Sequence, residues 1–196
     1  MIMPKRRDDT NNHYVDNAEF LKAMIEFRNQ VIDAESNEVA RPRMPDYIGE
    51  CFVKIATHLS YKPNFINYTF REDMISDGVE NCLQYVDNFD PAKSENPFAY
   101  FTQIIYYAFL RRIQKEKKQL YIKYKAMERA GILEYSDPAT PEDRQTIQPG
   151  SPLYSNIQDF IISYEEKQDS MKAKTKEKQL AKKKQKSDLE TFIKKD

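Results

Sequence analysis

Residues 96–119 read NPFAYFTQIIYYAFLRRIQKEKKQ, placing six aromatic rings (Phe98, Tyr100, Phe101, Tyr106, Tyr107, Phe109) directly before Arg111, Arg112, Lys115, Lys117 and Lys118. A core needs rings, and a solvated helix end tolerates cations. Together on one helix they suggest a surface that stacks on flat rings and neutralises phosphate. Unpaired bases stack on aromatic side chains for about 1–3 kcal/mol each, without a sequence code. Cations beyond them can bind phosphates and release counterions. With 3.6 residues per turn, Phe98, Phe101, Ile105 and Phe109 form one stripe, which reads as core. Tyr100, Gln103, Tyr107 and Arg111 form another, with Tyr106 beside it. The two adjacent tyrosines suit either a packing rim or a stacking platform.

Acids dominate the segment just before. Residues 71–95 carry Glu72, Asp73, Asp77, Glu80, Asp87, Asp90 and Glu95 against two bases, a net of −5. Asp73 and Asp77 share a helix face, so a divalent metal of the nuclease kind could in principle sit there. Acidic helix faces are more often solvated, or matched to a basic partner surface. The sequence carries no Gly-rich phosphate loop, no His-Glu-x-x-His pair and no Ser-His-Asp set, and it implies no cofactor. Cys51 and Cys82 lie in apolar-periodic segments and read as reduced, buried small hydrophobes of a reducing cytosol. His13 and His58 form no cluster with them, and His58 reads as a structural histidine.

The elements that must position these residues are helical. Glycine is scarce, at four residues, and no valine- or isoleucine-rich alternation appears. Asp16 or Asn17 can cap a first helix over about 17–34, with Glu19 completing a capping box. Its apolar stripe is Phe20, Leu21, Met24, Val31 and Ile32. A second helix, about 46–60, carries Ile48, Phe52, Ile55 and Leu59. A third, about 70–86, has Ile75, Val79, Cys82, Leu83 and Val86 inward and Asp73, Asp77, Glu80 and Gln84 outward. Asn96 and Pro97 fit the cap and first position of the fourth helix.

The 196-residue chain allows one ordinary domain plus tails. No run of eighteen apolar residues predicts a membrane span, and the N-terminus lacks an apolar signal core. The formal net charge is zero, but the charges are segregated. Residues 111–130 carry a net of +6 and residues 171–186 a net of +7. Four prolines between 136 and 158 read as a flexible linker. The lysine tract after Met171 reads as disordered or as a solvated helix. It ends in SDLETFIKKD, where Leu189, Phe192 and Ile193 share the face of one helical turn.

The order DMISDGVENCLQYVDNFD at 73–90, then PFAYFTQIIYYAFLRRIQKEKKQ, resembles region two of bacterial sigma factors. Within that family it is similar to the late-transcription sigma factors of T-even-type phages, over about residues 14–130. The resemblance implies an all-α fold: a compact sigma region-two-like domain, a flexible linker and a basic C-terminal tail. It implies a late-gene sigma factor that binds host RNA polymerase core and directs opening of AT-rich minus-ten promoters, with no chemistry of its own. Asp73, Asp77, Gly78, Glu80, Asn81 and Gln84 fall where the family docks the beta-prime coiled coil of the polymerase. Tyr100, Gln103, Ile104, Tyr106 and Tyr107 fall where it opens the minus-ten element. Arg111, Arg112 and Lys115, with Lys118 in the same cationic turn, fall where it holds duplex DNA. Primary sigma factors carry two adjacent tryptophans where this chain has Gln103 and Ile104, so the resemblance implies a strand-separating wedge that is either weaker or built differently, for instance from Tyr106 and Tyr107.

No helix-turn-helix module follows the linker, so a minus-35 box would not be read by this chain alone, and a late-transcription coactivator is a further partner to expect. Leu189, Phe192 and Ile193 match, in character and position, the family's end that engages the phage sliding clamp. The expected place of action is the cytoplasm of the infected bacterium. The expected plan is a disordered N-terminus over 1–15, a helical domain over 16–130, a Pro-rich linker over 131–158, a short helix and Lys-rich tail over 159–187, and the clamp motif over 188–196. Two other readings stay open: a metal-dependent nucleic-acid enzyme, and a helical nucleic-acid-binding or scaffolding protein that never meets polymerase.

Overall fold

A computed structural model describes residues 14–130 and 150–193, with side chains described as far as residue 181. Among these residues the chain is all-helical, as expected, and contains no strand. The helices are α1 (Asn17–Ser36), α2 (Asp46–Ser60), α3 (Arg71–Tyr85), α4 (Pro97–Arg129) and α5 (Pro152–Ile193), with a 3-10 turn over Val86–Asn88 after α3. Two compact units result, 1–115 and 116–196, and α4 contributes residues to both. The expected domain over 16–130 is therefore divided: residues 116–129 of α4 belong with α5.

Local chemistry sets the helix ends. The Asp16 carboxylate accepts the amides of Ala18 at 2.8 Å and Glu19 at 3.1 Å, satisfying two N–H groups that the first turn of α1 leaves open. Asn96 does the same for Ala99 at 2.9 Å, with Pro97 at the first helical position of α4.

The core of the first unit is a cluster of phenylalanines. Phe52 and Phe101 lie 4.6 Å apart between ring centroids, and Phe20 and Phe101 5.7 Å. Phe20, Phe52, Phe89, Phe101 and Phe109 are all fully buried. Each such ring contributes on the order of 1.5–3 kcal/mol through the apolar area it removes from water. The α2 stripe Ile48, Phe52, Ile55 and Leu59 is buried as its spacing predicts.

The inward faces of two helices differ from the sequence reading. In α1, Phe27 is buried while Ile32 is exposed and Leu21 only half-buried. In α3 the buried line is Met74, Gly78 and Cys82, with Val86 just after the helix. Ile75 and Val79 sit at its margin, and Leu83 is exposed. The physical reason is Gly78. A Cβ there would lie 3.0 Å from Ile105 and 3.1 Å from Phe109, so α4 approaches α3 along the glycine, and the larger side chains flank the contact.

Both cysteines are free and buried, as expected. Burial pushes the Cys82 thiol up to about 12. Val15, expected in a disordered terminus, is buried, and Tyr14 stacks on the His58 ring at 3.7 Å. His58 is thus an exposed histidine held by stacking.

The second unit has its own small core. Ile157 and Ile161 are buried beneath Tyr121, Tyr124, Met127 and Tyr154. Tyr121 stacks on Tyr164 at 4.5 Å, and Tyr124 meets Phe160 edge-on at 5.6 Å. The Tyr121 hydroxyl donates to Glu165 at 2.8 Å, and Lys125 bridges Glu165 at 3.2 Å and Glu128 at 2.8 Å. The expected short helix and tail are one helix from Pro152 to Ile193, so the structure begins within the segment read as linker. Of that linker, residues 131–149 lie outside the described residues, as do 1–13 of the N-terminal segment.

Candidate functional site

The residues singled out on α3 and α4 meet in the first unit, but not all in the roles their types suggest. On α4, the side opposite Phe101, Ile105 and Phe109 presents Gln103, Tyr106 and Tyr107 to solvent. Tyr107 is 50% exposed and Tyr106 38%. The two rings touch edge to face at 5.8 Å, and Tyr106 rests edge-on against the buried Phe65 at 5.7 Å. One flank of Tyr106 is thereby anchored while the Tyr107 ring stays accessible. Tyr106 is thus partly a packing rim, while Tyr107 is half exposed.

Arg111 and Lys115 continue this side of α4 and are exposed. Arg111 donates to the side-chain oxygen of Asn81 at 2.5 Å, which fixes its guanidinium above α3. Lys118 is exposed on the part of α4 that belongs to the second unit.

Three of the residues assigned to DNA on α4 make contacts within the fold. Tyr100 is half-buried and packs on Phe89 at 5.3 Å and Phe101 at 5.1 Å, and burial raises its hydroxyl pKa. Ile104 is half-buried against the core. Both therefore support the helix from below. Arg112 has a side chain only 16% exposed, and its guanidinium lies 2.9 Å from Asp73 and 3.5 Å from Asp77. It is a tie between α4 and α3, because a half-turn separates it from the open side that carries Tyr107.

The same ties change α3. Asp73 and Asp77, read as partner-docking or metal-binding carboxylates, also hold Arg112. Asn81 donates to the Asp77 carbonyl at 2.7 Å and accepts from Arg111, so its amide is committed within the fold. Gly78 is buried and cannot reach a partner. Glu80 and Gln84 remain exposed as expected. Beside them the structure adds Leu83, 47% exposed. Glu80, Leu83, Gln84 and Asp87 fall at i, i+3, i+4 and i+7, one outward face with an apolar residue among polar ones. Asp87 is held by Arg41 in a two-pronged pair at 2.7 and 2.8 Å. The sequence signal for this face was the spacing of Leu83 from Glu80, masked by its equal fit to the apolar stripe.

Leu189, Phe192 and Ile193, expected to engage a sliding clamp, lie on the last turns of α5, and their side chains lie outside the described residues. Among the described residues no helix is long and apolar enough to cross a membrane. No protein-family model matches the chain, and no curated protein matches it.

Proposed function

We propose that this chain is a promoter-specificity subunit of the sigma class, serving late transcription in a phage-infected bacterium. It binds the host RNA polymerase core and directs it to AT-rich minus-ten promoter DNA. The observation that carries this reading is the exposed Tyr106–Tyr107 pair on α4, followed by Arg111 and Lys115, on a helix whose other side is locked into the core. Rigid rings beside cations suit a displaced single strand: bases stack, and phosphates meet positive charge. The outward face of α3, with Glu80, Leu83 and Gln84, supplies a separate surface for the beta-prime coiled coil. Leu83 is the apolar anchor there and Glu80 the charge that sets register. The end of α5, with Leu189, Phe192 and Ile193, is the proposed attachment to the sliding clamp, and a coactivator is the proposed source of any minus-35 contact.

The test separates opening from docking. In Tyr106→Ala/Tyr107→Ala, permanganate reactivity of promoter thymines should fall while core binding holds, and a pre-melted template should restore initiation. Equal defects on duplex and pre-melted templates would overturn the stacking role.

A further inference from the structure

We propose that the lysine-rich stretch of α5 is a second, sequence-independent binding element for duplex DNA, lying in the major groove with lysines facing both walls. The argument begins with the helix itself. Beyond the small core at Ile157 and Ile161, every described side chain from Met171 to Ala181 is exposed, yet the helix continues to Ile193. Residues 171–186 contain eight lysines and one glutamate. Lys172 and Lys176, and Lys174 and Lys178, stand four apart, a like-charge spacing that weakens a helix in water. Such a helix gains stability when a polyanion neutralises it.

The distribution of the lysines selects the polyanion. Lys172, Lys174, Lys176 and Lys178 occur at every second position, and at 100° per residue this alternates them between two opposite sides. Met171 and Leu180, 57% and 60% exposed, also fall on opposite sides. No apolar face is left, as an interfacial membrane helix or a partner helix would require. A helix charged on two opposite sides fits between two phosphate strands. The major groove of B-form DNA is about 12 Å wide and admits one helix. The deep, narrow major groove of A-form RNA does not. The element stands apart from the promoter reading, because Tyr106 and Tyr107 take no part in it.

The test uses the full chain and a duplex of mixed sequence, without polymerase, followed by fluorescence anisotropy across a salt series. Changing Lys172, Lys174, Lys176 and Lys178 together to Gln, which keeps helix propensity, should weaken binding at least tenfold. It should also reduce the salt slope by about 3–4 units, at roughly 0.9 per lost phosphate contact. The Lys→Arg counterpart should bind like the original chain. Helicity measured by circular dichroism should rise on adding duplex DNA to the original chain and not to the Gln variant. Unchanged affinity and slope in the Gln variant would overturn the proposal, as would equal binding of duplex RNA, or binding of anionic phosphatidylserine vesicles in preference to DNA. A Tyr106→Ala/Tyr107→Ala chain should retain this binding; its loss there would place the contact on α4 and overturn the proposal as well.

Discussion

Arg112 and Lys115 stand three residues apart with the same charge, and their surroundings give them different work. Arg112 is nearly buried between Asp73 and Asp77. Arg112→Gln should cost about 1–2 kcal/mol in thermal or urea unfolding, the low end for a charged hydrogen bond because Asp73 is 58% exposed. It should leave the salt slope of DNA binding unchanged, whereas Lys115→Gln should lower that slope by about one unit. Gly78 makes the same point through size. Gly78→Leu drives a branched side chain into Ile105 and Phe109 and should cost about 1–3 kcal/mol. Gly78→Ala sets crowding at 3.0 Å against about 1 kcal/mol of helix propensity and should shift stability far less. Thiol chemistry checks the same core. With Cys82 buried and its pKa pushed up to about 12, and Cys51 also buried and raised, Ellman's reagent should find no reactive thiol in the native protein and two after unfolding. Fast native-state labelling of either cysteine would contradict the packing described for α2 and α3.

At the scale of elements, α2 and the start of α4 were legible because their signals are local: an apolar period in one, an Asn-Pro start in the other. The inward faces of α1 and α3 were less so. An apolar residue such as Leu83 or Ile32 fits either side of a short period, and tertiary packing decides between them; on α3 the close approach of Ile105 and Phe109 at Gly78 marks the inward line. Charge was the least legible feature. Acids on α3 and bases on α4 read as two surfaces for two partners. Through Arg112–Asp73–Asp77 they partly satisfy each other, and Arg111 is held by the neutral Asn81, which no one-dimensional pattern reveals. The second unit was only partly legible: a short helix was expected from 159, but its start at Pro152 lay in the segment read as linker, although proline is also a good first residue for a helix. Its charges predict a pH window. Hydrogen bonds from Tyr121 and then Lys125 hold the Glu165 pKa below the usual carboxylate value. A lowered carboxylate pKa stabilises above its unfolded value and is lost as pH falls through the folded one. Tyr121, through Glu165, and Lys125, through Glu128 and Glu165, are raised, so their contributions are lost as pH rises through their folded values. Hydrogen exchange at residues 120–129 and 154–166 should therefore be slowest in opening at neutral pH. Opening should increase both below the carboxylate range and above the tyrosine range. Glu165→Gln should flatten the acid limb, and an unaltered acid limb in that variant would assign it to another group.

For the whole molecule, a net charge of zero hides an acidic α3 region and two basic stretches, an arrangement suited to holding a protein and a nucleic acid at once. The proposed partners make one further expectation. Deleting residues 188–196 should leave clamp-independent initiation nearly unchanged and abolish stimulation by a DNA-loaded sliding clamp, because tethering acts through effective concentration. Loss of both activities would instead mean that this end packs on its own chain. The central claim is tested most directly by run-off transcription with purified bacterial core polymerase on supercoiled DNA bearing an AT-rich minus-ten element. Adding this chain should produce a discrete transcript starting just downstream of that element, and Tyr106→Ala/Tyr107→Ala should reduce it on the duplex but not on a pre-melted template. No transcript above that of core alone, together with failure of the chain to copurify with core, would contradict the account.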